Sequence, residues 1–414
     1  MTGHHSIILV DNQVNTKKLI ADLIAGKYPI FAWLTQKRIG EFSLGRIERF
    51  IEEEQRHDQK VISKGAGQSL TSMSSGERKK ALLRFLKHQN PEIVFVVNPY
   101  DSLDQQAQGI LEEDFKRMAK ETTIIQIINR ISDAFPFPEH FYIARGTCIE
   151  QHKSLECLKN TSQSQRITIT QRIPKPLKYK TFSLESLVEF KEVSVSFNGK
   201  AVLSKINWTI KEGEFWQLKG PNGSGKSTLL NLMTGDSHKG YGQNLMLFGH
   251  KKGSGESVWD LKEKIGYFSP TMVDRFRGHH TLEHMLISGQ HDSVGLYVRP
   301  TGLEQGKARE WLELLGLGQK KQRYFHELSI GAKRLVMTAR AMIKHPPLLI
   351  LDEPTVGLDD SSATFFVDLI NTYAKESAST VVFVSHREEK GLRPNQIFEL
   401  VPGTKGSRGF PNYT

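Results

Sequence analysis

The stretch GPNGSGKST, residues 220–228, decides the fold. It follows the strand-like run FWQLK at 215–219 and precedes the helical run TLLNLMT at 228–234, the context in which GxxxxGK[ST] predicts a phosphate-binding loop. Its glycines let backbone N–H groups converge on phosphates at a helix N-terminus, Lys226 supplies positive charge, and Ser227 offers its hydroxyl to Mg²⁺. The predicted nucleotide contacts are Gly220, Asn222, Gly223, Ser224, Gly225, Lys226, Ser227 and Thr228.

A second stretch, LILDEPTVGLD at 349–359, ends a strand-like run with two acids. Asp352 is expected to reach Mg²⁺ through water, and Glu353 is expected to meet the hydrolytic water. Two acids at a strand end, taken alone, are more often a solvated turn. Their spacing from Lys226 and the PTVGLD that follows favour the catalytic interpretation.

Two more side chains belong to this predicted site. His386 follows the run VVFVS at 381–385 and is expected to sense the γ-phosphate. Phe197 lies 29 residues before Lys226 (226 minus 197). Its ring either stacks on adenine or belongs to the core, and the sequence leaves both interpretations open.

The stretch VFVVNPYDSLD at 94–104 repeats the second stretch without its two acids, because Val97 and Asn98 stand where Asp352 and Glu353 stand at an offset of 255 (352 minus 97). The same offset relates MSSGERK to LSIGAKR through Gly76 and Gly331 (331 minus 76). Asn129 aligns with His386 at 257 (386 minus 129). The first copy is therefore predicted to lack the magnesium acid, the base and the histidine.

Further upstream, IILVDNQVNTKKLIADLIAG at 7–26 aligns with WQLKGPNGSGKSTLLNLMTG at 216–235 at an offset of 209, and IGEFS at 39 aligns with IGYFS at 265 at an offset of 226. The first alignment places Lys17 opposite Lys226. It predicts a strand, a turn and a helix whose turn has lost its glycines. The β-portion at 188–210 has no counterpart in the first copy.

Apolar β-runs alternate with helical stretches in both copies, which predicts an α/β fold built from two P-loop NTPase domains in tandem. The expected boundaries are a degenerate, truncated domain at 1–160, a basic linker with prolines at 161–185 and a complete domain at 186–414. The run RITITQRIPKPLKYK at 166–180 contains no acid and is expected to be a solvated tether. Its basic residues are Arg166, Arg172, Lys175, Lys178 and Lys180.

Composition is that of a soluble globular protein: 414 residues, 38% hydrophobic and 24% charged, with a net charge of +11. No apolar run approaches the roughly 18 residues of a membrane span, and the N-terminal SIILV is too short for a signal peptide, which favours a cytoplasmic location. Cys148 and Cys157 have neither metal-ligand spacing nor the number expected of a disulfide framework. Despite the positive charge, no nucleic-acid motif is present, which disfavours nucleic acid as a partner.

Together, GPNGSGKST, LSIGAKR, LILDEP, GLD and VSH resemble the nucleotide-binding domain of ATP-binding cassette (ABC) proteins. The segment GYGQNLMLFGHKKGSGESVWDLKEKIGYFS at 240–269 and the later GLY further resemble the ModF-like tandem ATPases, which are named for association with molybdate transport. The resemblance implies MgATP hydrolysis by two domains packed head to tail, with each nucleotide between the P-loop of one half and the signature of the other.

On that arrangement one composite site can be complete. Ser74 and Gly76 of the first half would close the site formed by Lys226, Ser227, Asp352, Glu353 and His386. The opposite site would rest on Lys17, Val97, Asn98 and Asn129 and is expected to bind no nucleotide. Pro270 stands where most ABC transporters have a glutamine that contacts Mg²⁺ and communicates with the membrane domain, which counts against conventional coupling to a permease.

The expected function is an ATP-binding subunit associated with a metal-oxyanion (molybdate-like) or related transport system, with a membrane permease as partner at the inner face of the plasma membrane. Two alternatives stay open. One is a translation-type tandem ABC factor on the ribosome, although the proline-containing linker does not resemble the long charged helix usual in such factors. The other is an ATP-gated switch whose turnover is incidental.

Overall fold

The computed structural model of the chain describes residues 4–57, 60–62, 69–163, 169, 171–178, 184–255, 257–276 and 278–413. The chain divides into two compact units. Unit 1 comprises Met1–Arg166 together with the short segment Gly357–Ala363. Unit 2 comprises Ile167–Val356 and Thr364–Thr414.

Unit 1 is built on one sheet within the described residues. Its strands are β1 (Ser6–Val10), β2 (Ile39–Phe42), β3 (Ile93–Val97), β4 (Thr123–Ile128), β5 (His140–Arg145) and β6 (Cys148–His152). Its helices are α1 (Thr16–Ile24), α2 (Leu44–His57), α3 (Ser75–Gln89), α4 (Gln105–Met118) and α5 (Leu155–Gln163). The strand order is β2-β3-β4-β1-β5-β6, and the pairs are parallel except β5 with β6. Alternate residues of β3 enter apolar cores on opposite faces, so this sheet is buried on both sides.

Unit 2 contains a larger set of strands in its described part. They are β7 (Val188–Phe197), β8 (Lys200–Ile210), β9 (Phe215–Lys219), β10 (Leu245–Leu247), β11 (His250–Lys251), β12 (Ile265–Phe268), β13 (Leu348–Asp352), β14 (Thr380–Val384), β15 (Gln396–Val401) and β16 (Arg408–Tyr413). The helices are α6 (Lys226–Met233), α7 (Val258–Lys264), α8 (Leu282–Ser288), α9 (Gly302–Leu314), α10 (Ile330–Met342) and α11 (Asp360–Glu376). The first turn of α11 belongs to unit 1.

The main sheet of unit 2 has the order β12-β13-β14-β9-β15-β16, and the antiparallel sheet β11-β10-β7-β8 accompanies it. One apolar core joins the two sheets, with Trp208 stacked on Phe398 at 4.1 Å between ring centroids. The second sheet uses the segment at 188–210 that has no counterpart in the first copy. Both main sheets share one strand order, as expected for a repeated fold.

Strand register confirms most of the sequence alignment. Ile39 pairs with Ile93 in unit 1, and Ile265 pairs with Leu348 in unit 2, so the offsets of 226 (265 minus 39) and 255 (348 minus 93) hold across the β2–β3 and β12–β13 pairs. The β3–β4 pair and its counterpart β13–β14 likewise confirm the offset of 257.

The offset of 209 at the first strand is wrong by one residue. Ser6 pairs with Ile125, and the counterpart of Ile125 is Val382, which pairs with Trp216, so the strand offset is 210 (216 minus 6). The helix N-caps, Asn15 and Gly225, have the same offset (225 minus 15). Thr16, and not Lys17, therefore stands opposite Lys226. The error arose because every residue of β1 is buried, which removes the two-residue alternation that fixes register.

Part of the predicted linker packs on unit 2. Ile173 is buried, and its N–H donates to Glu376 Oε2 at 2.8 Å. The next carbonyl, that of Pro174, accepts from His345 Nε2 at 2.8 Å. Arg166 and Lys180 lie outside the described residues. These contacts show that the tether is anchored at its first proline and is not solvated there.

Among the described residues, no helix has the length and apolar character needed to cross a bilayer.

Candidate nucleotide site

The turn between β9 and α6 has the backbone shape of an anion-binding loop. Gly220, Gly223 and Gly225 have positive φ angles of 153°, 77° and 94°. A Cβ on Gly225 would lie 2.7 Å from Leu203 Cδ2, and one on Gly220 would lie 2.7 Å from Ser224 Oγ. Gly225 caps α6 without a side-chain hydrogen bond, so the first N–H groups of the helix are left for a ligand.

The polar side chains of this loop fit a phosphate group. Lys226 is buried, and its Nζ donates to the carbonyl oxygens of Gly220 at 2.8 Å and Pro221 at 3.1 Å. Ser224 Oγ is buried and lacks a hydrogen-bond partner among the described residues. Ser227 is exposed. A phosphate oxygen would supply the partner that Ser224 Oγ lacks and a charged acceptor for Lys226.

The acids lie at the carboxyl end of β13, the same edge of the sheet as the loop after β9. Asp352 ends β13 beside Val384 of β14. Glu353 has a positive φ of 45°, and its N–H donates to the Val384 carbonyl at 2.9 Å. His386 Nδ1 donates to Glu353 Oε1 at 3.0 Å, while its buried Nε2 lacks a partner among the described residues. Parallel strands thus bring the loop, both acids and the histidine to one edge.

Burial and neighbouring charge shift the two acids in opposite directions. Burial, followed by the charge of Glu353, raises the pKa of Asp352 to about 6, against the effects of Lys226 and a hydrogen bond from Tyr267. Burial alone would raise the pKa of Glu353, but the hydrogen bond and charge of His386, with Lys226 and Arg387, bring this pKa below its usual value. Glu353 is therefore ionised at neutral pH and able to accept a proton.

Unit 1 keeps the backbone of this arrangement with different side chains. Asn98 also has a positive φ, 41°, and its N–H donates to the Ile127 carbonyl at 3.0 Å, as Glu353 does to Val384. Its Nδ2 donates to Asn129 Oδ1 at 3.3 Å, and the Asn129 N–H donates to Asn98 Oδ1 at 3.1 Å. An amide pair thus replaces the carboxylate–imidazole pair at the positions that the sequence offsets predict.

The other predicted residues are placed as follows. Phe197 ends β7 with 40% of its surface exposed, and Lys239 Nζ lies 5.7 Å from its ring centroid, so the ring is accessible to a base. Asn222 is exposed, and Thr228 is partly buried in the first turn of α6. In unit 1, Ser74 is the exposed N-cap of α3 and forms a capping box with Glu77, two residues before Gly76 on the same helix.

Sequence reasoning missed Tyr267, whose hydroxyl hydrogen-bonds the Asp352 carboxylate from the neighbouring strand β12. It lies in the IGYFS motif, which served for the alignment and the ModF-like resemblance but was given no role in the site. A polar ring next to a strand of the site was the available signal.

Comparison with known proteins identifies the family. The ABC transporter family model matches residues 203–356. The chain is 33% identical over 328 residues to the ABC transporter ATP-binding protein ModF of Escherichia coli, covering 77% of this chain and 67% of that protein. It is 31% identical over 208 residues to the zinc uptake system ATP-binding protein ZurA of Listeria innocua, covering 49% of this chain and 77% of that protein.

A solved structure shows the tandem fold. A chain of the ribosome-bound archaeal Pelota and ABCE1 assembly matches 99% of this chain, and 75% of that chain is covered, with a TM-score of 0.69 and 14% identity. The likeness confirms two ABC ATPase folds in one polypeptide. The similarity to ModF establishes that the chain belongs to the ATP-hydrolysing, ATP-binding proteins of the ABC transporter family.

Proposed function

We propose that the chain hydrolyses MgATP at one site, built on unit 2, and that unit 1 contributes no second catalytic centre. One observation carries this proposal. At equivalent backbone positions, unit 2 holds the Glu353–His386 pair at 3.0 Å and unit 1 holds the Asn98–Asn129 pair at 3.3 Å. An amide cannot act as a general base, so only the unit 2 pair can activate water.

Each side chain has a distinct part in the reaction. Lys226 exchanges its two carbonyl partners for phosphate oxygens and stabilises their negative charge. Glu353 accepts a proton from the attacking water, and His386, held by Glu353, would contact the γ-phosphate. Phe197 offers its exposed ring to the adenine.

Ser227 and Asp352 are the residues that would hold Mg²⁺, one by its hydroxyl and the other through water. These two groups would suffice, because magnesium in phosphate-binding sites needs only one or two protein ligands. When bound, the ion neutralises charge on the transferred phosphoryl group. Tyr267 hydrogen-bonds the Asp352 carboxylate and would hold it for this role.

Ser74 and Gly76 are proposed to complete the same site from the first half. The sequence of unit 1 keeps SSGE and SLD while its P-loop counterpart has lost its glycines. Ser74 is exposed at the start of α3, where helix N–H groups favour an anion. This asymmetry supports a unit that serves its partner's nucleotide.

The test is the ATPase activity of Glu353→Gln. We expect kcat to fall by roughly 10²- to 10⁴-fold, the usual contribution of a positioned general base. Glu388→Gln, the same substitution at an exposed glutamate nearby, is the matched control and should keep wild-type activity. Calorimetry on Glu353→Gln should show one ATP per chain. Wild-type turnover in that variant, or two equivalent binding sites, would refute the proposal.

We further propose that the chain acts with a transport system for a metal oxyanion or related solute, at the inner face of the plasma membrane. The similarity to ModF and to the zinc uptake protein ZurA supports this assignment.

Copurification tests the partner. Glu353→Gln is to be isolated in ATP and in ADP, and the proteins that accompany it only in ATP are to be identified. An integral membrane protein supports the transport assignment. Cosedimentation with ribosomes, or capture of soluble proteins alone, contradicts it and favours one of the other two functions.

A further inference from the structure

The amino ends of β1 and β5 bring two histidines to one face of the unit 1 sheet. The two strands are parallel, with Ser6 opposite His140. Paired residues of a parallel sheet point to the same face, and residues two apart along the chain share a face. His4, two residues before Ser6, therefore lies beside His140. The backbone there is fixed, because the His5 carbonyl accepts from the N–H groups of Glu139 at 3.1 Å and His140 at 3.2 Å.

The facing nitrogens of the two rings have the spacing of a metal chelate. His4 Nδ1 lies 3.2 Å from His140 Nε2, and the ring centroids are 5.2 Å apart. Two metal–nitrogen bonds of about 2.0–2.1 Å hold their nitrogens about 2.9 Å apart at a right angle and about 3.3 Å apart at the tetrahedral angle. His4 is exposed and His140 is partly exposed, so an ion can reach both nitrogens from solvent.

Aromatic side chains support the histidine pair. Phe31 and Tyr142 are buried in the apolar core on this face, with ring centroids 4.8 Å apart. Trp33 packs beside Phe31 at 6.4 Å between ring centroids, and its ring centroid lies 5.6 Å from that of His4. Packing against Trp33 restricts the His4 ring, which helps to preorganise the facing nitrogens.

The pair is separate from the unit 1 counterpart of the nucleotide site. Asn98 and Asn129 follow the carboxyl ends of β3 and β4, whereas His4 and His140 stand at the amino ends of β1 and β5. Because these strands are parallel, the two groups occupy opposite edges of the sheet. The reaction proposed for unit 2 uses neither histidine.

A hydrogen bond between the two rings is the state without metal. Each neutral imidazole carries one N–H, so one ring donates to the other. An ion needs both facing lone pairs, and the shared proton then moves through solvent to the remote nitrogen of the same ring. Both rings stay neutral, and two metal–nitrogen bonds replace one hydrogen bond. The adjacent His5 is engaged elsewhere, because its Nδ1 accepts from the Ile124 N–H at 3.1 Å and its ring packs edge-on against Phe137.

The type of ligand selects the ion. Imidazole nitrogens favour Cu²⁺, Ni²⁺ and Zn²⁺, whereas Mg²⁺ and Ca²⁺ prefer oxygen. In the part of the chain that the structure describes, no cluster of three or more histidine, cysteine, aspartate or glutamate side chains could hold a metal, so water must complete the coordination of a two-histidine site. We propose that His4 and His140 form a binding site on unit 1 for one divalent transition metal ion, Cu²⁺, Ni²⁺ or Zn²⁺. The site does not depend on ATP hydrolysis.

Trp33 provides a local readout of the bound ion. It is 36% exposed and lies beside His4, and bound Ni²⁺ quenches the fluorescence of an adjacent indole. The chain has five tryptophans, so the Trp33 signal is taken as the difference between wild type and Trp33→Phe. Trp259, which is 72% exposed, is present in both proteins and reports non-specific quenching. We expect the Trp33 signal to fall along a one-site curve with Ni²⁺, to recover with excess diamagnetic Zn²⁺ and to be unchanged by Mg²⁺.

Removal of either ligand tests the site. His4→Gln and His140→Gln should each weaken Ni²⁺ binding by about tenfold or more, since even the loss of an outer-shell partner costs about 10- to 100-fold in metal affinity. His88→Gln, the same change at an exposed histidine of α3, is the matched control and should bind as the wild type does.

Circular dichroism on the same preparations checks folding. His4 precedes β1 and is exposed, so His4→Gln decides the question even if His140→Gln disturbs β5. Equal affinity in wild type and His4→Gln, or quenching that rises linearly without saturation, would overturn the site. Half-saturation only at about 1 mM or above would mean adventitious binding only and would overturn it too.

Discussion

Arginine at position 74 tests whether unit 1 serves the unit 2 nucleotide. Ser74→Arg introduces bulk and a positive charge where the proposed composite site needs a small hydroxyl. The matched change is Ser329→Arg, at the equivalent position of unit 2 (329 minus 74 is 255). If unit 1 completes the site, only the first substitution should obstruct hydrolysis.

The structure predicts nearly equal stability costs for the two changes. Ser74 Oγ accepts from the Glu77 N–H at 3.3 Å, and Ser329 Oγ accepts from the Ala332 N–H at 3.4 Å. Loss of an N-cap costs about 1 kcal/mol, which lowers Tm by roughly 2–4 °C in domains of this size. The hydrogen bond from the Ser74 N–H to Glu77 Oε2 at 2.7 Å does not involve the substituted side chain. Any large difference in activity therefore reports on the nucleotide and not on folding.

Steady-state ATPase assays and thermal unfolding should be measured on the same preparations. We expect Ser74→Arg to lower kcat/KM by about 10²-fold or more, comparable to the loss of one preorganised donor, and Ser329→Arg to stay within about threefold of wild type. The reverse pattern would mean that second halves of two chains pair with each other. Equal losses would refute the asymmetry on which the proposal depends.

Two further predictions concern unit 2. Gly225→Ala should weaken ATP binding by roughly tenfold or more in a titration, because its Cβ would lie 2.7 Å from Leu203 Cδ2. A Cβ at Gly223 meets no atom within 4 Å, so the Gly223→Ala variant should bind ATP more tightly than the Gly225→Ala variant. Equal affinities of the two variants would contradict the steric argument. Burial lowers the pKa of His345 below 6.5, although its hydrogen bond to Pro174 acts in the opposite direction. The unfolded chain therefore binds the proton at a higher pH than the folded chain, and the free energy of unfolding should fall as the pH drops below about 6.5. The slope should flatten in His345→Asn, measured by denaturant unfolding between pH 7 and 5, and an unchanged slope would exclude this histidine.

The alignment at offset 255 could be predicted because both copies place turn-forming residues at the same spacing. Positive φ angles recur at three matched pairs of positions: Asn90 with His345, Asn98 with Glu353, and Ser102 with Gly357. The proline after the second pair and the aspartate just before the next helix lie in the same register. Sequence motifs therefore predicted both the paired backbone turns and the side chains that differ between them.

Other features could not be predicted from local sequence. The register of β1 was predicted wrongly because all its side chains are buried. The prediction that Lys17 stands opposite Lys226 was wrong for the same reason. The contact between Asn12 and Asp359 joins residues 347 positions apart (359 minus 12). Its two groups, a backbone N–H and a helix-capping acid, have ordinary local uses. Only the fold brings them together.

Backbone strain at the matched turns gives independent support for the catalytic assignment. A residue other than glycine at positive φ costs of order 1–3 kcal/mol, and asparagine tolerates this conformation better than most residues. Unit 1 has asparagine there, at φ 41°, with its amide satisfied by Asn129. Unit 2 keeps glutamate at φ 45°. Asparagine at 353 would relieve strain without changing the turn, so the glutamate is retained at a cost that packing does not explain. The proposed role of this carboxylate, which is to accept a proton from water, does explain it, and at the equivalent position of unit 1 the Asn98 amide is paired with Asn129 instead.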